Sequence, residues 1–145
     1  MSSSHRATQP CYNAQMEIAI ERLVALCCLV IGLSHVVQPR AWVQLFVDWR
    51  GKGNVGVFYT GLLHFTLGAL VVAFHNVWHG IPLLVTLLGW GWTLKGLVYL
   101  IYPKHGMKML ARVSVDRAHE FVIAGAVLVA VAVLVGYSLA TRGAL

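Results

Sequence analysis

Charge is what this sequence has least of: 11% of its 145 residues are Asp, Glu, Lys or Arg, and five of those are acidic. With 59% apolar residues and a mean hydropathy of +0.74, the chain exceeds what one soluble core needs, and a polytopic membrane protein is the class that remains. Cysteine is scarce too. Cys11, Cys27 and Cys28 cannot pair completely, and the last two are adjacent, which excludes a disulfide framework and leaves apolar packing as their role. No basic start followed by an apolar core opens the chain, so residues 1–15 are expected to be a flexible polar tail rather than a cleavable signal. A dense basic face is also missing. The net charge of +6 comes from cations confined to short segments between apolar runs, a topology signal rather than a nucleic-acid surface. There is no nucleophile and base pair and no metal-ligand set, and so no expectation of an enzyme.

Long apolar runs are present in abundance. The stretch 61–102 holds two back to back, joined by the polar turn His75, Asn76, Val77, Trp78, His79, Gly80. Each has roughly the ~20 residues that hydrocarbon requires, and only a helix satisfies its own backbone there. The fold class expected is therefore all-α: four transmembrane helices, at about 16–37, 55–74, 81–102 and 120–140, forming a single domain over 16–145. Glu17, Glu21 and Arg22 fall in the opening turns of the first run, where carboxylates suit the positive helix end and can snorkel to the interface. Pro39 and Pro103 end the first and third runs, and Pro82 suits a first turn.

After Pro39, Trp42, Leu45, Phe46 and Trp49 recur at i, i+3, i+4 and i+7, which predicts a short amphipathic helix with both tryptophans at headgroup level. Met107, Leu110 and Ala111 make a weaker stripe after Pro103. Sliding the chain by 64 positions brings Leu23 onto Leu87, Gly32 onto Gly96, Leu33 onto Leu97, Pro39 onto Pro103, Gly61 onto Gly125 and Val71 onto Val135, with Arg40 meeting Lys104. Two parallel helix–connector–helix repeats would give this pattern. Arg40, Arg50, Lys52, Lys104, Lys108, Arg112 and Arg117 lie in the two connectors, against Arg6, Arg22 and Arg142 on the other side. That bias places the connectors in the cytoplasm and both termini, with the 75–80 turn, outside.

Within the 61–102 hairpin sit two ionisable side chains that hydrocarbon should reject, His64 and Lys95, and intramembrane charge points to function. His64 lies about nine residues into its span, roughly 13 Å from the helix end. With Lys95 and Trp92 it forms the candidate polar site. Its face also carries Gly61 and Gly68, which admit a neighbouring helix or a flat ligand. A single-histidine pigment at His64 is one alternative, and a neutral imidazole bonded to a neighbouring helix the blander one. A bis-histidine haem is disfavoured because His35 lies nearer the cytoplasmic end. No other cofactor and no metal are expected: His75 and His79 have no Asp, Glu or Cys beside them, and the turn suits a polar cap with Trp78 as an interfacial anchor like Trp42 and Trp49. Gly61, Gly68, Gly89, Gly96 and Gly125, with Ala132 and Gly136, mark helix-packing faces.

Phe74, His75, Asn76, Val77, Trp78, then Leu84, Val85, Thr86, Leu87, Leu88, Gly89, Trp90, then Leu94, Lys95, Gly96, Tyr102 and Pro103 resemble a group of small bacterial four-span inner-membrane proteins of uncharacterised function. The resemblance is close over this part and loose over the four-span layout. It implies a multi-pass protein of the bacterial inner membrane and transfers no catalytic role. The expected function is a structural or accessory subunit of a homo-oligomer or larger complex, in contact with the lipid bilayer. The competing class is a small transporter or channel in which His64 and Lys95 line a polar path.

Overall fold

The computed structural model describes residues 4–143, with side chains from residue 13 onward. Every element among them is helical: α1 (Ser4–Val37), α2 (Pro39–Gly51), α3 (Asn54–Phe74), α4 (Leu83–Ile101), α5 (Pro103–Ala111), a 3-10 turn (Val115–Arg117) and α6 (Ala118–Thr141). Three segments are long and apolar enough to cross a membrane: Asn54–Phe74, Leu83–Ile101 and Val115–Thr141. The tail expected over 1–15 is helical from Ser4, because each residue added to an existing helix gains a backbone bond at no nucleation cost. Residues 1–3 and the side chains of Arg6 and Cys11 lie outside the described residues. Cys27 and Cys28 are free thiols, half-buried and buried.

The two proline bends have the same local cause. A residue before proline is driven out of the helical region, and Gln38 (φ −127°, ψ 51°) and Tyr102 (φ −120°, ψ 69°) both leave it. Each still closes the helix behind it, Gln38 N–H on the Ser34 carbonyl at 2.8 Å and Tyr102 N–H on that of Val98 at 2.9 Å. Both prolines then open a connector helix, where their missing N–H costs nothing. The connectors lie together at one end of the molecule. Arg50 Nη1 donates to the Val113 carbonyl at 3.2 Å, and Val57, Tyr99 and Leu110 form a small buried cluster with Phe46 and Met107 around them.

Above this layer α1 packs along α6, and α3 along α4. Small residues set the distance of approach. A Cβ on Gly32 would stand 2.8 Å from the Gly125 carbonyl oxygen, and one on Gly125 2.6 Å from that of Gly32. In the other pair, Gly68 abuts Thr93 and Gly89, Gly96 abuts the Phe65 backbone, and Gly61 meets Tyr99 and Leu100. Five of the six expected packing glycines thus contact other helices of the same chain, whereas a Cβ on Gly136 would meet nothing within 4 Å. At the end away from the connectors the pairs share an apolar core of Ile20, Val24, Cys28, Val71, Val85, Ala132, Val135 and Leu139.

Candidate functional site

His64 and Lys95 meet in a cleft of about 300 Å³ on the connector side, together with His35, Tyr99, Glu120, Phe46 and Phe121. Trp92 does not join them; it packs against the apolar core instead. His35, expected nearer the cytoplasmic end, is part of the site. It lines the same cleft as His64 despite the difference in depth expected between them. The first turns of α3 are embedded in the connector layer, with Gly56 against the Trp49 carbonyl and Val57 against Gly106, so counting from the first residue of α3 overstates the depth of His64. His35 meanwhile is held against Gly125 of α6.

Both imidazoles are fixed in the same way. His64 Nδ1–H donates to the Thr60 carbonyl and His35 Nδ1–H to that of Ile31, each at 2.8 Å. A carbonyl only accepts, so the ring proton of each neutral imidazole is on Nδ1 and the lone pair on Nε2. No hydrogen bond from the described residues reaches either Nε2. The His35 ring is stacked between Trp42 (4.1 Å) and Phe121 (5.5 Å), and Phe46 continues the aromatic wall at 5.7 Å from Phe121. Trp42, whose Nε1 donates to Ser34 Oγ at 3.0 Å, is therefore a half-buried supporting ring as well as a candidate anchor. Trp49 packs on Phe46 and Tyr59.

Lys95 is exposed and has no ion-pair partner among the described residues. Glu120 is already held by Arg117, at 2.5 Å from Nη2 and 2.7 Å from Nε. A second, contiguous cleft of about 220 Å³ shares Lys95, Tyr99 and Glu120 and continues to Arg112, Ser114 and Arg117. Polar surface thus runs from the connector face inward to the two histidines. The face beside His64 on which a flat pigment would rest in the alternative reading, Gly61 and Gly68, is filled by α4, and this removes the room for a chlorin there.

A second polar cluster closes the opposite end. Glu21 and His75 are each 1% exposed. Arg142 donates to both oxygens of Glu21 through Nη1 and Nη2, and His75 Nε2 faces Glu21 Oε1 at 3.5 Å with no hydrogen-bond partner. The other side of the His75 ring meets Thr86 Oγ1 at 3.1 Å, and that hydroxyl donates to the Val77 carbonyl at 2.8 Å. Two expectations change here. Glu21 does not snorkel: it lies several turns inside α1, out of reach of the dipole end. His75 is a core side chain rather than part of an exposed cap, whereas Trp78 remains 57% exposed with its Nε1 on Asn76 Oδ1. The sequence carried a signal for this burial. Glu21 and His75 lie 64 positions before Val85 and Leu139, both fully buried.

Among the described residues no group of three His, Cys, Asp or Glu is arranged to hold a metal ion. No family model, curated protein or solved structure matches the chain.

Proposed function

We propose that this is a four-span protein of the bacterial inner membrane, built from two helix–connector–helix repeats, that acts as a non-enzymatic accessory subunit holding a ligand in the His64–Lys95 cleft. The observation that carries the reading is the convergence of the intramembrane ionisable side chains on one cleft that ends inside the molecule. Between it and the Glu21 cluster lies the apolar core around Val71, Val85 and Val135, which favours holding a ligand over conducting a solute. Among the described residues, little chain lies outside the helices to shape a pocket for soluble-substrate chemistry.

Several features support the fourth span and the repeat. α1 presents Leu26, Val30, Leu33 and Val37 outward, as a lipid-facing helix would. The 64-residue shift relates the two proline bends, relates the Gly32–Gly125 contact to Gly96 and Gly61, and superposes buried Gly68 on buried Ala132. It also carries His35 onto Tyr99, each four residues before its proline and each lining the cleft. The connectors hold most of the cations, which supports their cytoplasmic placement.

Membership of an assembly is tested by mild extraction from native membranes. A stable oligomer or a co-purifying membrane partner is expected, together with no solute flux in proteoliposomes. A solely monomeric species that conducts, with flux lost in His64→Ala, would replace this reading with the transporter.

A further inference from the structure

The ligand class follows from the hydrogen-bond capacity of the cleft, and this inference rests on the reading of the cleft as a ligand-holding site. Each histidine has committed Nδ1–H to a carbonyl of its own helix, so in the neutral rings both Nε2 atoms are acceptors. Both remain open to the cleft, where water donates to them, so a ligand that takes the place of that water must bring donors of its own. A ligand with hydroxyl hydrogens does so. An anionic headgroup would set acceptor against acceptor at these positions, although Lys95 alone would suit it.

The walls narrow the class further. Phe121 is stacked on His35 at 5.5 Å and tilted by 37° against Phe46 at 5.7 Å, and a further flat ring packs favourably, offset or edge-on, against such an aromatic wall. A volume of about 300 Å³ stands at the lower limit of small-molecule sites; it admits a single-ring head and not a tetrapyrrole. Lys95 and Tyr99 line the same space and can donate to hydroxyl oxygens.

We propose that the cleft binds the dihydroxylated aromatic head of a membrane quinol, with the ring against Phe46 and Phe121 and the hydroxyls donated to Nε2 of His64 and His35. The oxidised quinone has no hydroxyl hydrogens to give, so the site prefers the reduced form. Isothermal titration of the full-length protein in phosphatidylcholine nanodiscs tests this with a short-chain benzoquinol, its benzoquinone, and phosphatidylmethanol, an anionic lipid whose head carries no hydroxyl. The benzoquinol is expected to bind at least tenfold more tightly than the benzoquinone. His64→Leu and His35→Leu should each weaken quinol binding at least tenfold, while Gly91→Ala, at a glycine with nothing within 4 Å, leaves it unchanged. The histidines stand on different helices, so a folding failure of one variant still leaves the other to report. Equal affinity for quinol and quinone, or quinol binding indifferent to both histidines, overturns the proposal. Saturable phosphatidylmethanol binding lost in Lys95→Gln but kept in the histidine variants also overturns it, while leaving the ligand-holding reading intact. Binding of none of the three overturns both.

Discussion

Arg142 reaches a carboxylate 121 positions earlier in the chain, and Glu21 depends on it. Taking the guanidinium away leaves a buried carboxylate facing only His75. Removing one partner of a buried ion pair costs about 3–5 kcal/mol, and a value near or below 3 is expected here because 40% of the Arg142 side chain is exposed. Arg142→Ala should therefore lower unfolding free energy in detergent by about 2–3 kcal/mol, whereas the double replacement Glu21→Leu with Arg142→Leu should cost less than the single one. Equal or additive losses would mean that the two residues do not act as a pair. At this scale the sequence was least legible. Glu21 and His75 have ordinary polar identities, and only the fold shows that α1 and the α3–α4 turn bring them together. His35 was obscured in the same way: its partners Trp42 and Phe121 lie on other helices.

Helices and bends were far more readable, because their causes are local. Proline dictates the conformation of the residue before it, and apolar run length marks three of the four expected spans, at Asn54–Phe74, Leu83–Ile101 and Val115–Thr141. Glycine spacing disclosed which faces pack but not which helix each face meets. The structure pairs Gly32 with Gly125, and the α3 glycines with α4. Gly125→Val would force the α1 and α6 backbones apart; a destabilisation of about 2 kcal/mol or more is expected from overpacking of this kind. Gly91→Val, which meets open space, should change stability by less than about 0.5 kcal/mol. Comparable losses in the two variants, followed by thermal unfolding in the same detergent, would contradict the α1–α6 contact.

For the whole molecule, both connectors and the mouth of the cleft share one end, and the Glu21–His75–Arg142 cluster closes the other. With the connectors cytoplasmic, a thiol introduced as Asn76→Cys should react with an impermeant maleimide in intact cells, and Lys108→Cys only in inside-out vesicles. The reverse pattern would invert the orientation while leaving the fold untouched. The central claim, that His35 and His64 line a cleft open from the connector side and closed beyond, is tested most directly at Ala124, an exposed residue lining that cleft. With the unsubstituted protein as background for the native thiols, Ala124→Cys is expected to be labelled by the impermeant reagent in inside-out vesicles and protected in intact cells. Labelling from both sides would reveal a continuous path through the molecule and contradict the account.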